Sequence, residues 1–286
     1  MTLTALSFVL LAAVCHASWN LSAKTAADSR HFVFLYSAGS VLIYGPIVVV
    51  IVALERPHFD ARHWLALAGT SVLHLLYSLS LQRGYRDSDL SVVYPIARGT
   101  GPLLSFIGAG VLLGETPTTQ SVIGVVLIVA GILLVAGLIG QHRRAPVVGV
   151  FWGLATGVFI AMYTLNDGYA VKMLMVSPFL IDFTGNGFRM LVLAPRAWVD
   201  RKGVAREARE YRKAVLTVSF LGPLGYILVL FAMRFAPVSH VAPARELSTL
   251  VGAWFGSRLL REESGPLRMA GAALIVAGVV SIGLSS

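Results

Sequence analysis

The chain has 286 residues, of which 56% are hydrophobic and only 13% charged, and 23 Lys and Arg against 14 Asp and Glu give a formal net charge of +9. A soluble domain carries about 25% charged residues, and a globular protein of this size has too little interior for so much apolar surface, so lipid must cover the remainder. The single Cys15 excludes a disulfide framework and a cysteine-ligated zinc site, and the basic excess is expected in cytoplasmic loops rather than on a nucleic-acid surface.

The apolar residues fall into ten segments of roughly 20 residues, the length that crosses a bilayer at 1.5 Å rise per residue: 3–23, 31–54, 63–82, 90–113, 118–139, 147–171, 173–195, 214–233, 237–260 and 265–285. Backbone polar groups cannot stay unpaired in hydrocarbon, so each segment must be a helix or part of a closed barrel. Runs such as Val122–Gly140 do not alternate as barrel strands do. The expected fold class is therefore an all-α polytopic membrane protein with ten transmembrane helices.

In the first segment, Met1–Phe8 has no basic residue and no small-x-small cleavage site precedes Trp19, so it reads as a span rather than a signal peptide. His16, Trp19, Asn20 and Lys24 lie at i, i+3, i+4 and i+8 and share one helix face. A polar stripe is costly against lipid, so this face is expected to look into the bundle. The interfacial alternative puts Trp19 in an aromatic belt and lets Lys24 snorkel to headgroups. After the second segment, His58, Asp60 and His63 cluster in a loop, but Pro57 and the mixed spacing argue against a metal site; neither a metal nor a cofactor is expected.

Arg98 lies about eight residues, or roughly 12 Å, into the fourth segment and approaches the bilayer midplane. An unpaired arginine there costs about 2.5 kcal/mol or more, so it needs a partner or a function. Pro95 leaves the carbonyl of Ser91 free beside it, and Tyr94 belongs to the same candidate substrate surface. The segment ends on Glu115 before Thr116-Pro117, where contact with a helix N-terminus explains the acid.

In the sixth and seventh segments, Asp167 and Lys172 read as helix-end residues or members of interhelical ion pairs. Asp182 and Arg189 share a face but are too far apart to pair directly, and Asp182 joins the site candidates. The one long polar connection, Val199–Lys213, reads as a solvated basic loop, with a short surface helix on anionic headgroups as the alternative. In the ninth segment Pro243 frees the carbonyl of Ser239 beside Arg245, while Glu246 adjoins Arg245 at an angle that pairs poorly.

An internal repeat organises these features. A shift of 147 residues carries Ala97-Arg98 onto Ala244-Arg245, Glu115 onto Glu262, and Leu127-Ile-Val-Ala-Gly131 onto Leu274-Ile-Val-Ala-Gly278; with a small gap, Pro46 meets Pro195. The expected domains are residues 1–140 and 147–286, each a five-helix repeat. An odd number of helices forces the halves into opposite orientations, the inverted-topology repeat of many secondary transporters. Gly110-x3-Gly114, Gly153-x3-Gly157 and Gly252-x3-Gly256 mark candidate helix contacts.

The five-plus-five duplication, the segment ends Leu112-Leu-Gly-Glu115 and Leu259-Leu-Arg-Glu262, and the paired Leu-Ile-Val-Ala-Gly runs resemble the ten-helix EamA-type members of the drug/metabolite transporter superfamily. The resemblance covers nearly the whole chain. It implies a multi-pass carrier in the cell inner membrane, working by alternating access around a cavity between the halves. The four-helix multidrug relatives depend on a glutamate in their first helix; the first segment here has none, which puts proton–drug antiport of that kind in doubt.

There is no HExxH, P-loop or GxSxG motif, so no enzyme is expected. The reading is a secondary transporter for a small anionic or zwitterionic metabolite, such as an amino acid or organic acid. The alternative is a membrane-embedded sensor or accessory protein without transport activity. The expected partners are a small-molecule substrate and the lipid bilayer, with no nucleic acid and no oligomeric state specified. The substrate-binding candidates are His16, Trp19, Asn20, Lys24, Tyr94, Arg98, Asp182, Arg245 and Glu246. Charge bias puts both termini outside, and the family resemblance puts them inside.

Overall fold

The structure, a computed structural model, describes residues 1–26, 28–88, 90–135, 146–248, 251 and 266–285. Eleven helices occur among them: α1 (Leu3–Lys24), α2 (Phe32–Glu55), α3 (Ala61–Asp87), α4 (Leu90–Leu113), α5 (Thr119–Val135), α6 (Val147–Lys172), α7 (Pro178–Val199), α8 (Arg201–Glu210), α9 (Arg212–Phe235), α10 (Val238–Ala244) and α11 (Pro266–Leu284). There is no strand among the described residues. Six helices (α1, α2, α3, α4, α6 and α9) are long and apolar enough to cross a membrane. Asp182, Arg189 and Arg196 interrupt the apolar character of α7.

Local chemistry sets the ends. Thr2 caps α1 by accepting the Ala5 amide, and Asp60 caps α3 by accepting those of Arg62 and His63. The Asp60 amide in turn donates to His63 Nδ1, and this capping box accounts for Asp60 and His63. Gly114 ends α4 at φ +68, so Gly110-x3-Gly114 closes a helix rather than joining two.

Four sequence expectations need correction. Helix α3 runs to Asp87 rather than 82, because Arg83 and Asp87 pair one turn apart at 2.6 Å. Helix α7 begins at Pro178 rather than 173, its proline standing in the first turn where no amide is needed. The basic connection is the helix α8, capped by Asp200 accepting the Gly203 amide. And α10 stops at Ala244, so Arg245 and Glu246 occupy a turn instead of a continuous helix. Pro243 withholds one helical hydrogen bond there, and the amides of Glu246 and Ser248 reach back only three residues. In α4, by contrast, the helix passes through Pro95 unbroken.

Helices from the two halves pack on one another: α1 on α9, α3 on α6, α2 on α7, α5 on α11, and α4 on both α6 and α10. Small residues allow these approaches. A Cβ on Gly153 would stand 2.8 Å from Ile96, and one on Gly157 2.6 Å from Thr100, so Gly153-x3-Gly157 is the seam between α6 and α4. Gly252-x3-Gly256 lies outside the described residues. In α5 and α11, Gly124 meets Gly278 and Gly131 meets Gly271, a pairing that runs the two helices antiparallel.

The bundle exposes many large apolar side chains and buries polar ones within its largely apolar core. Leu42, Val49, Leu54 and Val111 are exposed, whereas Ser37, Thr156, Thr164 and Ser219 are buried. At one end the Met1 ammonium donates to the Gly283 carbonyl and Lys172 pairs with Glu115. At the other, Glu207 of α8 accepts from Ser29 Oγ and the His31 amide, and His31 meets Asp200 at 3.0 Å.

Candidate functional site

The repeat-equivalent arginines approach the interior from opposite halves, Arg98 from α4 and Arg245 from the turn after α10. They are treated differently. Arg98 Nε lies 2.8 Å from Glu246 Oε2, and its other arm donates to Ser248 Oγ at 2.8 Å. Glu246, fully buried, is thus neutralised across the repeat rather than by its neighbour. Arg245 is only 3% exposed, yet among the described residues it makes no ion pair or side-chain hydrogen bond. Its guanidinium carbon stands 5.9 Å from the centre of the Tyr163 ring.

Beside it lies a second cluster. Asp167 of α6 is fully buried; its Oδ2 accepts from Tyr226 of α9 at 2.5 Å and lies 3.1 Å from His74 Nε2 of α3. Asn166 donates to its other oxygen at 3.0 Å. The His74 ring stacks on Tyr163 with centroids 4.1 Å apart, so one tyrosine touches both His74 and the Arg245 guanidinium.

The remaining predicted site residues divide. His16 is buried, its Nδ1 2.8 Å from the Ala12 carbonyl, and lies within electrostatic range of Arg245 and Arg98. Asn20 donates to the His16 carbonyl on its own helix. Trp19 packs with Ala23, Tyr36 and Tyr211 around Phe32, its indole N–H buried with no acceptor among the described residues. Asp182 accepts from Asn186, and Arg189 donates to the Tyr36 hydroxyl at 2.8 Å, so these two do not pair. The side chains of Lys24 and Tyr94 lie outside the described residues. Two cavities, of about 770 and 410 Å³, lie along α3 and α6 and are lined by residues such as Arg83, Trp152, Leu112 and Asn166; neither includes Arg98 or Arg245.

Of the two readings the sequence left for Lys172, a helix end or an interhelical ion pair, it makes the pair, with Glu115 at 3.1 Å. Sequence reasoning placed Glu115 against a helix N-terminus, but that helix is α10 and not the following α5: Glu115 accepts the amides of Val238 and Ser239. The same reasoning passed over His74, Tyr163 and Tyr226, and read Asp167 as a helix-end residue or a member of an interhelical pair; Asp167 meets His74 of α3. A signal existed, since the 147-residue shift carries His16 onto Tyr163 and Asn20 onto Asp167. The inward stripe of the first segment thus predicts an inward stripe on the sixth.

The sequence matches the EamA-like transporter family over residues 3–137 and again over 147–284. It is 25% identical over 296 aligned residues, covering 100% of this chain and 93% of the other, to a Bacillus subtilis (strain 168) protein described as "Uncharacterized transporter YvbV". A solved crystal structure aligns with TM-score 0.66 at 18% identity, covering 99% of this chain and 98% of that one; this likeness is one of fold.

Proposed function

From the premise that the chain belongs to the EamA-like transporter family, a multi-pass membrane protein of two repeats, we propose that it is a secondary transporter moving a small anionic or zwitterionic metabolite, such as an amino acid or organic acid, by alternating access. In this reading ten spans cross the membrane. They are α1 to α7, α9, α10 with the residues that continue it, and α11, while α8 lies on the surface. The halves 1–140 and 147–286 are inverted repeats, which the antiparallel crossing of the equivalent helices α5 and α11 supports. Helical spans suit the inner membrane, since outer-membrane proteins are barrels.

One observation carries the substrate class. Arg245 is buried with no acid in ion-pair or hydrogen-bond contact among the described residues; Glu246, which attracts it through space, is itself paired with Arg98. A buried unpaired cation is costly, and a carboxylate-bearing solute relieves that cost at the moment it binds. Lipophilic cations meet the wrong charge.

The test is binding and counterflow by the purified protein in liposomes, with succinate, L-glutamate, L-alanine and inorganic phosphate against ethidium. Saturable exchange of at least one anionic or zwitterionic solute is expected. Saturable ethidium transport with no response to the other four would overturn the reading.

A further inference from the structure

Substrate binding at Arg245 leaves the neighbouring His74–Asp167–Tyr226 cluster without a task. Asp167 is fully buried, and among the described residues no lysine or arginine bonds to it. Its partners are a tyrosine hydroxyl, an asparagine amide and an imidazole. Neutral donors ease the burial of a carboxylate but do not cancel its charge; a second proton on the imidazole does.

We infer that the His74–Asp167 pair, closed by Tyr226, is a proton-binding site that couples transport to a proton gradient; this rests on reading the chain as a secondary carrier. With one proton on the imidazole the pair carries a net negative charge. With a second, on Nδ1, Nε2–H still donates to Asp167 and the pair is neutral. No bond other than N–H forms or breaks, and the proton enters from and leaves to water on whichever side is open.

The groups facing His74 set the coupling. They are Tyr163 and Asp167 from α6, Tyr226 from α9 and, through space, Arg189 from α7 and Arg245 beyond α10. Arg245 and the proton are like charges that both lie against Tyr163 and act on each other through space. An anion on Arg245 cancels that repulsion, so anion and proton favour each other's binding, and linkage makes the effect reciprocal. The expected mode is therefore proton–anion symport.

The experiment has two arms on the full-length protein in lipid. The first follows ring-nitrogen resonances of the seven histidines between about pH 5 and 9, the span in which imidazoles exchange protons, with His74 assigned by its loss in His74→Gln. A His74 signal that titrates in wild type and moves in Asp167→Asn is expected; one unchanged across that range overturns the site whatever the protein transports. The second arm uses succinate or L-glutamate, whichever wild type exchanges. An inward-acid gradient should drive accumulation by wild type, and His74→Gln should lose about tenfold or more of that drive while keeping counterflow. A purely structural role would lower both together. Full gradient drive in His74→Gln also overturns the proposal. Should that variant not insert, Tyr226→Phe, which leaves both titrating groups, must show a displaced His74 titration; an unmoved one counts against the closed pair. If wild type exchanges none of succinate, L-glutamate, L-alanine and phosphate, it is the substrate class that fails, and the resonances still decide the proton site.

Discussion

Gly124 of α5 and Gly278 of α11 face each other so closely that a Cβ on either would stand 2.7 Å or 2.5 Å from the other's carbonyl oxygen. Gly131 and Gly271 meet in the same way, at 2.6 and 2.7 Å. A shift of 147 residues carries Gly124 onto Gly271 and Gly131 onto Gly278, so each contact is the image of the other. In every case a backbone oxygen is among the obstacles, and it cannot rotate aside as the neighbouring side chains can.

Gly278→Ala and Gly131→Ala should therefore destabilise the protein by similar amounts, about 1–3 kcal/mol each for overpacking a tight contact. Melting of the purified variants in detergent measures this. Equal shifts follow from the pseudo-symmetry; no shift in either variant would mean that the helices do not approach this closely.

The repeat was legible because Arg98/Arg245 and the paired Leu-Ile-Val-Ala-Gly runs stand out at one offset. The membrane class was legible because apolar length has few other uses. The break at Arg245 was not, since Pro95 sits in an unbroken helix while Pro243 precedes a turn; proline removes a hydrogen bond in both, and surrounding packing decides the outcome. The Asp167 cluster was missed because tyrosine and histidine look apolar or interfacial one segment at a time. Helix α8 was missed because its stability comes from docking: Glu207 reaches Ser29 and Asp200 reaches His31, 178 and 169 residues away in sequence.

The Glu115 cap should be pH-dependent. Burial pushes this carboxyl up, but hydrogen bonds from Ser239 and Val238 and the charge of Lys172 outweigh it and hold it below the ordinary carboxylate value. A group depressed in the folded state contributes stability that is present above its unfolded value of about 4.3 and is lost as pH falls through the folded one. Wild type should lose this contribution on acidification below about pH 4.3, and Glu115→Gln should lack it at neutral pH, by about 1.5–3 kcal/mol for charge-assisted bonds. Parallel melting curves for the two proteins, with a constant gap from neutral to acid, would dismiss the cap as a stabilising contact.

Orientation follows from charge. Helix α8 carries Arg201, Lys202, Arg206 and Arg209, and the loop it grips contains Arg30. Basic residues beside helix ends resist translocation, so this face is expected in the cytoplasm and both termini outside. A C-terminal alkaline phosphatase fusion should be active and a C-terminal green fluorescent fusion dark. The opposite result places α8 outside, against the charge bias.

Arg245 and Arg98 separate site from scaffold. Arg98 already holds Glu246 and Ser248, so Arg98→Ala strands a buried carboxylate and should cost about 3–5 kcal/mol of stability, as breaking one side of a buried pair does. Arg245 has no such partner among the described residues, so Arg245→Ala should leave the fold as stable as wild type or more so. Its role is expected to show only with ligand present. A planar guanidinium grips a carboxylate through two hydrogen bonds, which lysine cannot reproduce. Arg245→Lys should thus insert normally and lose about tenfold or more in apparent affinity for whichever of succinate or L-glutamate wild type binds, the equivalent of about 1.4 kcal/mol or more. Melting temperatures with and without that solute distinguish the cases. A full ligand-induced shift in Arg245→Ala would remove Arg245 from the binding site; a large loss of stability in Arg245→Ala without ligand would make it a tether between helices instead.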